Sequence, residues 1–491
     1  MSDVAAPDAR SEVLARLRSI RPALQVIADD EGLKPFETDA FIAHREAPML
    51  AVLPHTEEQV RGVVIACRGL GVPVVSRGAG TGISGGAIPL RDGVLLVLSR
   101  MRQVLCVDAL ARLAIVEPGV RNLAVSDAAQ PFGLFYAPDP SSQSICSIGG
   151  NVAENSGGVH CLKYGLTTHN LLEVRAVDAD GDVIVAGGAA LDAPGYDLLA
   201  LLTGSEGNLG VITRVTVRLL ALPERTETLL AAFASVRQAA EAVGEIIGAG
   251  IVPAALEMMD RIVIEACERF MGMGLPTDAE ALLLAEVDGG TEEAGAELEA
   301  VREILARCGA SEVRVAASEA ERERLWRTRK GAFTALATIL PDYYTIDGTI
   351  PRRCLPGVLE EIRRLAAEYG LTVGNVFHAG DGNIHPCIFY DSSKPGDLER
   401  AEEFGGRILE HCVAVGGTIT GEHGVGIEKL RQMCVQFRAP EIAAFHAVKA
   451  AFDPGGILNP GKAVPSLKRC AEWGGMHVHG GRLPRPEIPR F

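Results

Sequence analysis

The chain has 491 residues, more than one hydrophobic core serves, so two or three domains are expected. Its 47 basic and 63 acidic residues leave a formal charge of −16, which argues against nucleic acid or an anionic lipid surface as the main partner. Residues 1–24 mix charges without a signal-peptide core and no run of about 18 apolar residues occurs, so the reading is a cytoplasmic protein that does not itself span a membrane.

Residues 12–28 carry apolar positions at helical spacing and predict a helix. From residue 49 the texture changes to short β/α units: a strand over 49–53, a helix from Thr56 to about residue 70, and strands over 72–76 and 94–98. Residues 114–220 alternate strand-like runs with glycine-rich turns, ending in the β-branched run 210–220. Beyond residue 222, amphipathic stretches (236–247, 292–308, 356–369) alternate with strands over 281–287 and 371–377. That pattern predicts an α+β domain with an antiparallel sheet and helices on one side. A last helix over 439–452 leads into turns at Asp453-Pro454 and Asn459-Pro460. The eleven cysteines are scattered and form no C-x-x-C pair. They read as buried reduced thiols and not as iron–sulfur ligands.

Three segments carry the first chemical signal. Ser76-Arg77-Gly78-Ala79-Gly80-Thr81-Gly82-Ile83-Ser84-Gly85-Gly86 follows a strand, and glycine lets successive N–H groups face phosphate oxygens. No Gly-Lys-Ser/Thr follows and no extended helix opens, so it is neither a Walker loop nor a dinucleotide fingerprint. Pro138-Asp139-Pro140-Ser141-Ser142 continues to Ser147-Ile148-Gly149-Gly150-Asn151 and Asn155-Ser156-Gly157-Gly158. The third segment is Gly204-Ser205-Glu206-Gly207-Asn208-Leu209-Gly210-Val211-Ile212-Thr213.

In this order and spacing the three resemble the FAD domain of the vanillyl-alcohol oxidase and p-cresol methylhydroxylase superfamily. The resemblance implies FAD contacts from Arg77, Gly78, Ala79, Gly80, Thr81, Gly82 and Ser84 in the first segment. It implies further contacts from Pro138, Asp139, Ser142, Gly149, Gly150, Asn155, Ser156 and Gly158 in the second, and from Glu206, Gly210 and Ile212 in the third. Some relatives tether the flavin through a histidine in the first segment. This chain has Thr81 there, which implies non-covalent FAD.

The second signal is His378-Ala379-Gly380-Asp381-Gly382-Asn383-Ile384-His385, where a Gly-Asp-Gly turn folds two histidines toward one point. Gly421-Glu422-His423-Gly424 follows about forty residues on. Two imidazoles and one carboxylate make a three-ligand site with an open position, the arrangement of a catalytic metal site. The pattern resembles that of D-2-hydroxyglutarate and related D-2-hydroxy-acid dehydrogenases. The resemblance implies His378, His385 and Glu422 as ligands of a divalent metal (Zn, Mn or Fe) and His423 as the proton acceptor. Such chemistry also runs with a histidine and an arginine alone, so the base is the firmer expectation.

Trp326-Arg327-Thr328-Arg329-Lys330 is expected to open a helix, and a guanidinium fork matches a carboxylate. The same resemblance implies Arg329 for the substrate carboxylate. A threonine and a lysine hold a distal carboxylate in that family. The nearest positions here are Phe333 and Thr345, which implies a short substrate such as glycolate or D-lactate.

Over nearly the whole chain the sequence resembles the FAD-binding subunits of bacterial glycolate oxidases. Tyr343-Tyr344, Asp347-Gly348-Thr349-Ile350-Pro351-Arg352-Arg353, Phe445-His446-Ala447-Val448-Lys449-Ala450-Ala451-Phe452-Asp453-Pro454 and a tail with Cys470, Trp473, His477 and His479 carry this likeness. Asn459-Pro460-Gly461-Lys462 returns to the flavin pocket in the wider family. The implied architecture is α+β: an N-terminal helical segment (1–47), a two-subdomain FAD-binding domain (48–222) and a ferredoxin-like antiparallel substrate or cap domain (223–425). A C-terminal helical segment returning to the FAD domain (426–464) and a partner-docking tail (465–491) complete it. Implied partners are a second FAD-fold subunit and an iron–sulfur subunit that passes electrons to membrane quinone. That arrangement would place the chain in the cytoplasm, peripheral to the inner membrane. The competing readings are a stand-alone D-2-hydroxy-acid dehydrogenase and a non-catalytic electron-relay subunit.

Overall fold

The computed structural model of the chain describes residues 9–190, 194–340 and 342–465. The Cys470, Trp473, His477 and His479 motif lies outside the described residues. Among the described residues no helix is long and apolar enough to cross a membrane.

The N-terminal half holds two sheets. In the first, strands Leu50–Leu53, Val94–Val97 and Val74–Arg77 pair in parallel. A parallel neighbour requires a crossover, and helix Glu57–Leu70 supplies one. Thr56 caps it by accepting from Gln59 N, and Gly71, at φ +64°, ends it. Val60, Val63, Val64 and Cys67 bury its inner face. The helix expected over 12–28 ends at Arg18. Pro22 cannot continue it, and Gln25–Ile27 instead adds an antiparallel edge to Leu50–Leu53. No helix occurs between Arg77 and Val94, so the first glycine segment is open loop.

The second sheet is antiparallel, with strands Val104–Asp108, Leu113–Val116, Val211–Arg218, Leu171–Val177 and Val183–Gly187 in that spatial order. The second glycine segment runs into the short helix Ile148–Glu154, and the third leads directly into Val211–Arg218.

The C-terminal half is built on a nine-stranded sheet whose central strands are Arg225–Phe233, Ala281–Gly289, Ala255–Asp260 and Val373–His378, all antiparallel. Helices cover both of its faces, not one. Leu229, Ala231, Leu283 and Ala285 face helices Val236–Gly248, Thr291–Arg307 and Leu355–Tyr369. Leu230, Ala232, Leu282 and Leu284 face helices Arg261–Met271, Glu319–Lys330 and Ala332–Leu336. Burial on both sides explains why these strands read as continuous apolar runs without alternation. Trp326 falls near the end of helix Glu319–Lys330, not at its start, because Ser318 caps that helix eight residues earlier by accepting from Glu321 N.

The chain finally returns to the first half. Helix Ala439–Phe452 packs Val448 and Phe452 on the second sheet. Val74 then exchanges backbone hydrogen bonds with Ile457 and Asn459, extending the first sheet.

Candidate active site

A cavity of about 580 Å³ lies between the two halves. Residues 76–83, 140–142, 146–147, 149–151, 153–154, 156, 206–207, 210 and 212 contribute to one wall, and Arg329, His378, His385, Glu422 and His423 to the other. Arg77, Gly78, Ala79, Gly80, Thr81, Gly82, Ser142, Gly149, Gly150, Ser156, Glu206, Gly210 and Ile212 all line it. The remaining expected contacts stand behind the lining as its supports. Ser84 is buried and its carbonyl accepts from Ile427 N and Glu428 N. Pro138 accepts from the Asn122 amide, and Asp139 pairs with His160 and Lys330. Asn155 ends helix Ile148–Glu154 at φ +53° and accepts from Thr168 N. Gly158, at φ +151°, lies flat against the Asp139 backbone. Asn459 donates to Gly86 O at 3.0 Å and Glu206 O at 2.7 Å, so it ties the first and third segments together.

The backbone of this wall suits a close-lying polyanion. Gly80 and Gly207 sit at φ +73° and +69°, a region a side chain would strain. A Cβ at Gly78 would strike the Ser147 hydroxyl and one at Gly207 the Ser76 hydroxyl. Lys462 Nζ reaches Gly86 O and Ile88 O.

On the opposite wall, strand Val373–His378 delivers His378 and the hairpin through Gly382 brings His385 back beside it. Gly382 is at φ +83° and its Cβ position is filled by Ile350 O, so only glycine makes this turn. Glu422 Oε1 is the focus: it lies 3.2 Å from His378 Nε2, 3.1 Å from His385 Nε2 and 3.8 Å from His423 Nε2. Ligand atoms of His378, His385 and Glu422 fall within 4.8 Å of one another. His385 is 1% exposed, yet neither ring nitrogen has an aligned hydrogen-bond partner. A buried imidazole left so is costly, and the donor set of two imidazoles and a carboxylate suits a divalent cation. The residues present therefore fit the metal.

Asp347 holds the Glu422–His423 loop. Its Oδ2 accepts from Gly421 N at 2.9 Å, His423 N at 3.0 Å and Thr420 Oγ1 at 2.6 Å, and Lys429 Nζ lies 3.2 Å away. Burial opposes its charge, but Lys429 and the nearby imidazoles hold its carboxyl far below the usual range. Burial pushes His423 down to about 4, so at neutral pH its imidazole carries a free lone pair.

Arg329 is 1% exposed. Its Nη2 lies 2.6 Å from Glu257 Oε2 as an ion pair that is not aligned as a hydrogen bond. Its buried Nε and Nη1 have no aligned protein acceptor, and the residue lines the cavity. Phe333 and Thr345 line the same end.

Sequence reasoning missed Glu257, whose Oε1 contacts His378 Nδ1 at 2.8 Å. It also missed Asp347, His160 and Glu286. A signal existed for two of them: Glu257 and Glu286 are buried carboxylates flanked by apolar residues within largely apolar strands. Such residues are rare unless paired.

Residues 222–463 match the model of the FAD linked oxidases, C-terminal domain, and residues 48–187 that of an FAD binding domain. The chain is 58% identical over 490 residues to glycolate oxidase subunit GlcD of Escherichia coli, covering 100% of this chain and 98% of that protein. It is 40% identical to glycolate oxidase subunit GlcD of Bacillus subtilis, covering 88% and 92% respectively. With a D-lactate dehydrogenase of Archaeoglobus fulgidus it shares 33% identity over 90% of this chain and 98% of that one. Among solved structures, p-cresol methylhydroxylase with substrate bound superposes with a TM-score of 0.78 over 95% of this chain and 99% of that chain, at 18% identity. The chain therefore belongs to the FAD-linked oxidases, within the branch that includes the glycolate oxidase subunits. It is an FAD-linked oxidoreductase with the vanillyl-alcohol oxidase-type fold.

Proposed function

We propose that this chain oxidises glycolate, and D-lactate, to the 2-oxo acid. The observation that carries the reading is the convergence of three imidazole Nε2 atoms on Glu422 Oε1, in one cavity with the buried guanidinium of Arg329. Bound FAD supplies the two-electron acceptor for the substrate's Cα hydride. Arg329 binds the substrate carboxylate and fixes its orientation. His378, His385 and Glu422 would hold a divalent cation, which would supply Lewis acidity toward the substrate's hydroxyl oxygen. His423 Nε2 accepts the hydroxyl proton, a role that its neutrality at pH 7 supports. The glycine-rich wall binds FAD without a covalent tether, since Thr81 offers no nucleophile equivalent to histidine. Phe333 and Thr345 leave no cation for a distal carboxylate, which supports a short substrate.

The relatives named as oxidase subunits support a place in a multi-subunit complex. Within it, a second FAD-fold subunit and an iron–sulfur subunit would take the electrons on to quinone. The chain would then be a cytoplasmic protein held at the inner membrane by its partners.

The test is anaerobic mixing of the FAD-loaded chain with glycolate, D-lactate and D-2-hydroxyglutarate in turn, following the oxidised-flavin band at about 450 nm. Bleaching by glycolate and D-lactate is expected. The His423→Ala variant should retain FAD and lose about 10²–10⁴-fold in bleaching rate. Undiminished bleaching in that variant would remove His423 from its role.

A further inference from the structure

We propose that His160 is a positioning residue: it bolts the FAD domain to the helix that carries Arg329 and so fixes the guanidinium over the substrate end of the cavity. The inference rests on the reading that Arg329 takes the substrate carboxylate.

The His160 imidazole sits between carboxylates of the two halves of the molecule. Nδ1 lies 3.0 Å from Asp139 Oδ2, in the second glycine segment, and Nε2 lies 3.1 Å from Glu286 Oε1, in the central strand Ala281–Gly289. Each carboxylate in turn holds helix Glu319–Lys330. Glu286 Oε2 accepts from Arg322 Nη1 at 3.2 Å and from Trp326 Nε1, and Asp139 Oδ2 lies 3.5 Å from Lys330 Nζ. Residues 322, 326 and 330 are spaced by four, so they form one stripe along the helix, and that stripe faces the clamp. Arg329, one position before Lys330, is turned about 100° away from the stripe, and it lines the cavity.

Within this cluster His160 is the group that contacts both carboxylates. It is charged at neutral pH: burial works against the proton, but Asp139 and Glu286 outweigh it and raise the imidazole to about 10. Without it, two carboxylates face each other across the domain boundary and the helix is anchored to each half separately. Neighbouring contacts share the boundary, with Lys163 Nζ 2.6 Å from Asp288 Oδ1 and the Tyr164 hydroxyl 2.6 Å from Asp288 Oδ2. Those act on the strand and not on the helix, so they keep the domains together when His160 is replaced. A bidentate carboxylate site is sensitive to displacement, since misplacement by about 1 Å costs on the order of 10²-fold.

The experiment is a double-mutant cycle on the FAD-loaded chain, with oxalate as a non-oxidisable dicarboxylate probe whose dissociation constant is read from the flavin spectrum. Arg329→Lys alone and His160→Ala alone are each expected to weaken oxalate at least tenfold. In the Arg329→Lys background, adding His160→Ala should change affinity less than twofold, because the two act through one group. FAD affinity of His160→Ala should stay within threefold of wild type, and KM for glycolate should rise more than kcat falls. His160→Gln should recover part of the loss, since its amide still donates to one carboxylate. Trp326→Phe, which removes one helix anchor and little else, should shift oxalate affinity in the same direction and keeps the test open if His160→Ala does not fold. Additive losses in the cycle, or oxalate affinity unchanged in both His160→Gln and Trp326→Phe, would overturn the role of His160 and leave that of Arg329 standing. No loss in Arg329→Lys alone would overturn the reading of Arg329 and the inference with it.

Discussion

Glu257 Oε1 lies 2.8 Å from Nδ1 of His378, deep under the candidate metal site. Its second oxygen lies 2.6 Å from Arg329 Nη2. One buried carboxylate thus fixes the ring of a metal ligand and steadies the guanidinium assigned to the substrate. Burial raises the carboxyl, but His378 and Arg329 overcome it and keep the group ionised.

Replacing that carboxylate by an amide tests the arrangement. Glu257→Gln keeps the shape but takes away the charge that orients His378 and pairs with Arg329. Affinity for a divalent cation should fall about 10–100-fold, as for other outer partners of ligating histidines. Metal content after dialysis against a graded chelator series measures this. FAD content should not change, and unaltered metal retention would mean that Glu257 serves packing alone.

Chelation should separate the two halves of the site. Removing the cation with a strong chelator is expected to slow flavin bleaching by glycolate and leave FAD bound, with activity returning on adding Zn²⁺, Mn²⁺ or Fe²⁺. Full bleaching rates in metal-free protein would point to His423 and Arg329 working without a cation.

The His160 cluster predicts an alkaline limb of stability. The folded imidazole, at about 10, is raised above its ordinary value of 6.5. Its stabilisation is therefore complete below about pH 6.5 and is lost as pH rises through 10. Glu286, lowered to about 2 by His160 and its other donors against burial, gives the acid limb of the same interaction. That part is present above the ordinary value of 4.5 and fades as pH falls toward 2. His160→Ala should cost on the order of 3 kcal/mol near pH 6 and much less near pH 10, measured by urea unfolding of both proteins across this range. A difference that does not shrink at high pH would assign the loss to packing.

Gly207 is a position of the cofactor wall with no room for a side chain. It sits at φ +69° with its missing Cβ against the Ser76 hydroxyl. Gly207→Ala should lower stability by about 1–2 kcal/mol and weaken FAD about tenfold, read by flavin fluorescence on titration. Gly188, which has open space around it, is the control and should accept alanine with little effect on FAD.

The proposed preference for a short substrate rests on Phe333 and Thr345, which line the cavity. The double change Phe333→Thr with Thr345→Lys supplies a polar group and a cation at the far end of the cavity. It should raise the rate of flavin bleaching by D-2-hydroxyglutarate relative to glycolate by at least tenfold, since a buried charge pair commonly contributes more than about 1.4 kcal/mol. An unchanged ratio would place the distal end of the substrate elsewhere.

The sequence by itself determined the elements whose signals are local. Thr56 before Glu57 and Glu58 marks a helix start, and Gly71 marks the end of that helix at φ +64°. The loop between Arg77 and Val94 reads as open because no helical period follows its glycines. The histidine pair around Gly382 reads correctly because a short turn brings its own two ends together. The helix predicted over 12–28 ends at Arg18 for two reasons: Pro22, inside the window, cannot continue it, and Gln25–Ile27 is held by pairing with Leu50–Leu53, which no window around residue 26 contains. Helices on both faces of the large sheet were likewise not separable from one, because a continuous apolar run shows burial and does not say what buries it. Only tertiary structure decided the groups that bind the site together. Glu257 meets His378 across 121 residues, His160 meets Glu286 across 126, and Glu206 meets Gly426 across 220. Each is a charged group whose burial is stable only with its distant partner in place, and a linear sequence carries the charge without the distance.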